Sequence, residues 1–317
     1  MIQLVEAKTA TSLWAERFDR NLEDVLALQD EIALQVAGAI EPELLKKEGQ
    51  RAASRPDQNA TVWDLLRRGT WEFHKVRPEG HRAARELFLK VIEASPDSAD
   101  GHIWLARVDA GMVGWRWTDD PAASAAEGMA AALRAVQLDG QNPYSHYAVA
   151  ITHIFAGKLE RARRAAEQAV SLSPSFALGH LVLGVCMLLL GQSRESIREL
   201  EQGLHLNPFD PHGAYWRLHL ALAHYVGAEP TRGLEQARVC LEMRPHWSVA
   251  LRVAIACLVT MGDHAGARQA VTELDKEGDA GQDLLVSVAL QQPEWVQLID
   301  ACVAAVRAGM SEAVSAT

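Results

Sequence analysis

The segment AVQLDGQNPYSH (135–146) recurs in altered form as AVSLSPSFALGH (169–180) and GLHLNPFDPHGA (203–214). Each copy begins 34 residues after the one before. Similar turns, EASPDSADGH and EMRPHWSVAL, lie further up and down the chain at irregular distances, which indicates short insertions. A fixed interval of this length predicts a stack of similar helical units, because one unit cannot bury its apolar face alone.

The residues within one interval resemble the tetratricopeptide repeat, in which two helices touch at small side chains. In 177–210 the Leu-Gly pair of that pattern is Leu183–Gly184, the later small residue is Gly203, and the closing proline is Pro208. The resemblance predicts an all-α, right-handed solenoid of antiparallel helix pairs, preceded by a short α/β remnant at the N-terminus.

The interval also sets the expected organisation of the chain. We predict a truncated α/β segment at 1–45 (a hairpin plus a helix at 21–40), a linker at 46–60, a repeat array at 61–281, and C-terminal capping helices with a frayed tail at 282–317. Two tail helices are expected at 281–291 and 293–308. The predicted repeats are 64–98, 99–142, 143–176, 177–210, 211–247 and 248–281. We expect positive φ at the glycines between the two helices of a repeat, namely Gly157, Gly191, Gly227 and Gly262.

The run LWAERFDRNLEDVLALQDEIALQVAGAIEPEL (13–44) is similar to the segment that precedes tetratricopeptide repeats in bacterial adenylate/guanylate cyclase-like proteins and winged-helix regulators. In that family a TolB-like α/β domain ends in this segment. The insertion GWRWTDDPAASA (114–125) is similar as well. The resemblance implies a regulatory or sensory C-terminal module, and we expect no catalytic or DNA-binding head within this chain.

Composition and motifs limit the function classes further. The net charge of −10 argues against nucleic-acid binding. The four cysteines lie in apolar helical stretches and are expected to be buried and free. The longest apolar run, 181–190, is too short for a membrane span, so a cytoplasmic protein is expected. No P-loop, nucleophile elbow or zinc-protease motif occurs. We therefore predict no enzyme activity, no catalytic residue, no cofactor and no metal site.

The residue types on the first helix of each repeat predict a binding groove. In this repeat class a fixed set of first-helix positions faces the concave side. The groove residues so predicted are Tyr144, Tyr147, Ile151, Phe155, Leu178, Leu181, Val185, Leu188, His212, Tyr215 and His219. An exposed apolar surface of this kind marks an interaction site. Its occupant could be a terminal helix of the chain itself, a partner peptide or second subunit, or a small apolar ligand.

The insertion contributes a second candidate, Trp115-Arg116-Trp117, because Trp and Arg are enriched at interface hot spots. The alternative is that both rings fold over neighbouring helix ends. The leading function is a protein-interaction or oligomerisation scaffold in a bacterial signalling system. The runner-up is a small-ligand sensory module that controls a nucleotide cyclase or transcription regulator. An open groove favours the first, and a pocket of roughly 300–1,000 Å³ favours the second.

Overall fold

A computed structural model describes residues 2–6, 11–16, 60–276 and 292–309. At the start, strands β1 (Ile2–Glu6) and β2 (Thr11–Glu16) pair antiparallel, as the predicted hairpin requires. The predicted helices at 21–40 and 281–291, and the predicted linker up to residue 59, lie outside the described residues.

Thirteen helices follow in the described residues. They are α1 (Val62–Phe73), α2 (Pro78–Ala94), α3 (Ala99–Gly114), α4 (Pro121–Leu138), α5 (Pro143–Phe155), α6 (Leu159–Leu172), α7 (Ala177–Leu189), α8 (Ser193–Leu206), α9 (Gly213–Val226), α10 (Pro230–Met243), α11 (Ser248–Thr260), α12 (His264–Lys276) and α13 (Pro293–Arg307). The first twelve pack as six consecutive pairs. The predicted all-α solenoid of helix pairs is confirmed.

The layering of the pairs follows from which helices touch. From α1 to α11, each odd-numbered helix also contacts the next odd-numbered helix, whereas even-numbered helices pack mainly on their odd-numbered neighbours. Elements on the inside of a curve stand closer together than those on the outside. The odd-numbered helices therefore form the inner, concave layer, and the even-numbered helices form the outer layer.

Small residues let the two helices of a pair approach each other. A Cβ atom on Gly203 of α8 would lie 2.5 Å from Cγ of Leu181 on α7. A Cβ atom on Gly184 of α7 would lie 2.6 Å from Cγ of Leu200 on α8. Both leucines are fully buried. A larger residue at either glycine would push the helices apart, which explains the small residues of the repeat pattern.

Positive φ at the turn inside each pair is confirmed at Gly157, Gly191 and Gly262, where φ is 68°, 77° and 75°. The prediction is wrong for Gly227, whose φ is −81°. Ala228 takes the positive value instead, with φ of 62°. In these four turns the positive-φ residue stands two places after the last helical residue, and α9 runs one residue longer than α5, α7 and α11.

The largest core cluster runs from the third pair to the last helix. α13 packs against both α11 and α12 and buries Ile299, Cys302 and Val303 among them. The four cysteines are free and buried, as the sequence predicted. Among the described residues, no helix has both the length and the apolar character needed to cross a membrane.

Candidate binding cleft on the inner face

The insertion between α3 and α4 turns into the concave face. Arg116 adopts a φ of 54° and is exposed, while the rings on either side of it, Trp115 and Trp117, stack with centroids 5.4 Å apart. Trp115 also meets Tyr215 of α9 and Trp247 at the start of α11, each at 5.6 Å. The insertion therefore spans the inner face from the second pair to the sixth.

A second set of ring contacts joins the first helix pair to the fifth. Phe73, the last residue of α1, lies 5.0 Å from the ring of His212 at the start of α9. His74 lies 5.9 Å from the same ring. Such contacts between non-adjacent repeats narrow the space inside the curve.

The last helix covers another part of the same face. Gln292, just before α13, donates a hydrogen bond from Nε2 to the backbone carbonyl of Leu189 in α7, at 2.8 Å. Arg252 of α11 donates to Asp300 at 2.7 Å. Cys302 lies against Tyr225 of α9. The helix thus crosses the inner layer as well as closing the stack.

An open cleft of about 400 Å³ remains on the inner face beside these segments. Its wall comes from α1, α3, the end of α8 and the starts of α5, α7 and α9, so four consecutive repeats and the entry to a fifth contribute. The lining residues mix charged, amide and aromatic side chains: Arg67, His74, Asp100, Ile103, Trp104, Arg107, Asn142, Tyr144, Ser175, Phe176, Ala177, Leu178, Leu206, Asn207, Asp210 and Pro211. A cleft with both apolar rings and hydrogen-bonding groups can bind an amphipathic ligand.

Arg107 of α3 stands where this cleft meets a smaller cavity of about 50 Å³. The side chain is only 6% exposed. Its guanidinium carbon lies 4.0 Å from the Trp104 ring centroid, 5.1 Å from that of Phe73 and 5.4 Å from that of Tyr147. These distances are within the range of cation–π attraction. Arg107 is therefore a buried cation surrounded by rings.

Burial controls the ionisation of the histidines around Arg107. Burial, and then the charge of Arg107, lower the pKa of His212 to about 3. Burial and the nearby His212 lower the pKa of His81 to about 3. The pKa of His74 falls well below its ordinary value, first through burial and then through His212 and Arg107. At neutral pH all three rings are uncharged, and Arg107 supplies the positive charge of this cluster.

Asp210 is the buried carboxyl of the cleft. Burial raises its pKa, opposed by a hydrogen bond from the backbone N–H of His212 and by the charge of Arg107. Its Oδ1 accepts from that N–H at 2.7 Å and from Nε1 of Trp216 at 3.2 Å. Its Oδ2 accepts from Nδ2 of Asn207 at 3.3 Å. These bonds hold the loop before α9 in place.

Solved structures share this arrangement of helix pairs. One chain in the structure of the Cut9–Hcn1 hetero-tetramer of the APC/C aligns with 87% of this chain over 48% of its own length, at 14% identity and a TM-score of 0.61. A thermophilic tetratricopeptide-repeat protein of Thermus thermophilus aligns with 61% of this chain and 97% of its own, at 19% identity and a TM-score of 0.50. The fold is the tetratricopeptide-repeat solenoid.

Sequence comparison adds a relative from Rhizobium meliloti. The Rhizobium meliloti (strain 1021) protein described as "Putative adenylate cyclase 3" is 28% identical over 163 residues, which is 51% of this chain and 28% of that protein. The tetratricopeptide-repeat chain therefore matches less than a third of the length of that relative. No protein-family model matches the chain.

The predicted groove residues of this tetratricopeptide-repeat array fall into two sets. One set faces the inner cavity or the cleft: Tyr144, Tyr147, Ile151, Phe155, Leu178, His212 and Tyr215. The other set lies in the core with 1% exposure or less: Leu181, Val185, Leu188 and His219. Of these four, Val185 also lines a small cavity beside Ile151 and Phe155. The second set corrects the expected groove. α7 packs against α8 as well as its inner neighbours, so little of its surface remains for a ligand.

The repeat pattern does not predict the polar part of the cleft. Arg107 and Asp210 are both buried, and neither was predicted as a site residue. A signal was present at Arg107, because this charged residue interrupts the apolar run IWLARV of α3. A charge inside an apolar helix calls for a local partner or a ligand. Within the described ranges, no group of three or more His, Cys, Asp or Glu residues could hold a metal ion.

Proposed function

We propose that this chain is a protein-interaction module and that the cleft of about 400 Å³ binds a segment of its partner. The main support for the proposal is that one part of the inner face is covered by the chain itself and another part is open. The insertion and α13 cover much of it with the chain's own residues, whereas the cleft stays open across consecutive repeats.

The residue types of the cleft support a peptide ligand. Trp104, Tyr144 and Arg107 belong to the residue types that dominate binding energy in protein interfaces. Asn142 and Asn207 offer amide groups that can bond to a peptide backbone, and Oδ1 of Asn207 is buried with no hydrogen-bond partner among the described residues. A buried acceptor of this kind favours a ligand that brings an N–H group.

Selection from a library of short peptides, displayed with free C-termini, tests the proposal. We expect peptides that bind the wild-type chain and lose binding to Tyr144→Ala, because Tyr144 lines the cleft and is only partly buried. Leu133→Ala on the outer helix α4 is the matched control, since Leu133 is 48% exposed and lies outside the cleft. Enriched peptides that bind Tyr144→Ala and wild type equally would rule out the cleft as the site.

The partner segment can belong to another protein or to a second copy of this chain. Sedimentation of the wild type over a range of concentrations separates these cases, because self-association through the cleft would weaken in Tyr144→Ala.

We further propose that the chain acts in a nucleotide-cyclase signalling system, and the support is its resemblance to part of the Rhizobium protein. Replacing the matching region of that protein with this chain, and measuring cyclic AMP, tests the role. Production unaffected by deleting the region would contradict it.

A second candidate function is a small-ligand sensory module. The observation in its favour is the volume of the cleft, about 400 Å³, which falls within the range of roughly 300–1,000 Å³ for small-molecule sites. Screening a metabolite collection for compounds that raise the melting temperature tests it. A compound that stabilises the wild type and not Tyr144→Ala would favour the sensor, and a screen without such a compound would favour the peptide.

A further inference from the structure

Two histidines occupy equivalent positions in the third and fifth repeats but have opposite electrostatic surroundings. His153 and His224 each lie two residues before the end of the first helix of their repeat, α5 and α9. His153 is 9% exposed and His224 is 1% exposed. Because their places in the repeat match, the neighbours of one histidine show what the other lacks.

The chain supplies its own anions at His224. Glu229, the residue before α10, accepts a hydrogen bond from Nδ1 of His224 at 2.9 Å. Arg232 of α10 lies 3.3 Å from the same carboxylate. A second carboxylate, that of Glu201 on α8, stands 3.9 Å from both His224 and Arg232. One imidazole and one guanidinium are therefore matched by two carboxylates.

Cations take the place of these carboxylates at His153. Lys158 precedes α6 as Glu229 precedes α10, and Arg161 stands where α10 has Arg232, each 71 residues before its counterpart. Sequence spacing therefore puts a lysine at the position from which the fifth repeat contributes a carboxylate.

Arg164, one turn further along α6, adds a third cation to this cluster. All three side chains are exposed. Among the described residues, no carboxylate oxygen lies within 4.0 Å of the side-chain nitrogens of Lys158, Arg161 or Arg164. The two carboxylates of α6 itself are both bound by Arg163. The cluster is thus three cations that no neighbouring acid neutralises.

The ring of His153 lies next to this cluster and has an unused polar atom. Its Nδ1 is buried and has no hydrogen-bond partner in the described ranges, although the same atom of His224 donates to a carboxylate. Burial, and then the charges of Lys158, Arg161 and Arg164, lower the pKa of His153, so the three cations surround the ring. No side chain caps the start of α6, which leaves backbone N–H groups of its first turn available as further donors.

We propose that the start of α6 binds a phosphorylated serine or threonine of a partner polypeptide, with Lys158, Arg161 and Arg164 around the phosphate and His153 beneath it. This site lies on the turn between the two helices of the third repeat. It is separate from the cleft and goes beyond the function proposed for the cleft.

The number of cations favours phosphate over a single carboxylate. A phosphate monoester carries close to two negative charges and three strong acceptor oxygens, so it can engage several cations at once. Clusters of basic side chains recognise phosphorylated motifs in this way. A carboxylate, as the fifth repeat shows, is shared by one histidine and one arginine.

The exposure of the cluster favours a polypeptide as the carrier of the phosphate. Sites for small molecules are enclosed clefts, whereas these three side chains stand open at the edge of the array. A nucleic acid would require a longer basic surface than three cations on a chain with a net charge of −10.

Selection from a library of peptides that share one central phosphoserine, with both ends blocked, tests the proposal on the full chain. We expect enriched peptides whose phosphoserine form binds at least about tenfold tighter than the matched serine and glutamate forms. Fluorescence anisotropy at fixed ionic strength measures the affinities, with inorganic phosphate as competitor. A library without enriched peptides overturns the proposal. Peptides that bind no tighter than inorganic phosphate also overturn it, because the site would then hold an adventitious ion only.

Two variants locate the phosphate. Lys158→Glu places a carboxylate where the fifth repeat has Glu229, so phosphopeptide affinity should fall at least about tenfold. Arg198→Gln is the matched control, because Arg198 stands at the position of Arg164 one repeat further along and its side chain is 74% exposed. It should bind like the wild type. Both substitutions are at surface positions, and circular dichroism should show unchanged helix content. Equal phosphopeptide affinity in Lys158→Glu and the wild type would contradict the site.

The ring of His153 gives a readout that does not depend on affinity. The phosphopeptide should raise the pKa of His153, followed by NMR of its ring protons, because the phosphate offsets the three cations. Lys158→Glu should raise this pKa without any peptide. A phosphopeptide that binds without moving the pKa of His153 would place the phosphate elsewhere and overturn the proposal.

Failure of the cleft function looks different. Peptides selected for the cleft should tolerate Lys158→Glu and lose binding in Tyr144→Ala, whereas phosphopeptides should show the reverse. Loss of phosphopeptide binding in Tyr144→Ala, with normal binding in Lys158→Glu, would move the phosphate to the cleft and reject the site at α6.

Discussion

Replacing Leu181 with alanine distinguishes a core position from a groove position. The side chain of Leu181 has no exposed surface and packs against Gly203 of the paired helix. The substitution removes three carbon atoms, worth roughly 2.4 kcal/mol at about 0.8 kcal/mol for each buried carbon. The cavity left behind adds to this loss, so we expect the free energy of unfolding to fall by about 3–4 kcal/mol. A groove residue, open to solvent in the free chain, would lose far less.

Urea denaturation followed by circular dichroism measures this loss. Leu133→Ala is the control, because Leu133 on the outer helix α4 is 48% exposed. This substitution should lower the free energy of unfolding by less than about 1 kcal/mol. A loss below about 1 kcal/mol for Leu181→Ala as well would refute its placement between α7 and α8.

The double variant Leu181→Ala/Gly203→Ala supplies an internal check. Gly203→Ala alone should lower the free energy of unfolding by about 1 kcal/mol, because overpacking against Leu181 outweighs the gain in helix propensity. Truncation of the Leu181 side chain removes the two shortest of these approaches, whereas the 2.9 Å approach to the Ala177 carbonyl remains. The double variant should therefore lose about 1 kcal/mol less unfolding free energy than the sum of the two single variants. A loss equal to that sum would contradict the contact between Leu181 and Gly203.

Three further variants test other features of the fold. Trp115→Ala should lower the free energy of unfolding by about 2 kcal/mol in urea denaturation, since the ring contacts three others, whereas Arg116→Ala on the same exposed turn should change it by less than about 0.5 kcal/mol. Burial raises the pKa of Asp109 on α3 to about 6 in the folded chain, above its value of 3.8 in the unfolded chain. The free energy of unfolding of the wild type should therefore fall by about 3 kcal/mol as the pH rises from 4 through 6. Asp109→Asn should remove that slope, and an identical pH profile would contradict the assignment. Ala228→Gly should raise the melting temperature, because Ala228 holds a φ of 62°, while Gly191→Ala should lower it for the same reason.

The local features of the fold could be predicted because they recur at a fixed interval. The 34-residue spacing and the resemblance to the repeat together located the helix pairs, and small residues such as Gly184 and Gly203 marked where their helices touch. The turn at Gly227 was predicted wrongly because α9 extends by one residue, which moves the positive φ to Ala228. A repeat pattern assumes equal helix lengths and carries no signal for such an extension.

The inner face was harder to predict, since it depends on contacts between distant residues. Trp115 meets Trp247, which lies four pairs further along the array, and no local pattern relates the two. Val185 and Leu188 occupy positions that usually face a groove, yet they are buried here. The positional rule assumes a wide inner curve, and the rings of this chain narrow it. Arg107 could have been noticed as a charge in an apolar helix, but its setting among rings required the three-dimensional arrangement.

The ring contact between Phe73 and His212 limits how this array can vary in length. In an open solenoid, adding or losing a unit leaves the remaining units undisturbed, because each touches only its neighbours. Here an extra unit placed anywhere between α1 and α9 would carry the two rings away from each other and widen the cleft that they border. Duplication, the usual route by which such arrays grow, is therefore compatible with the cleft only outside this stretch.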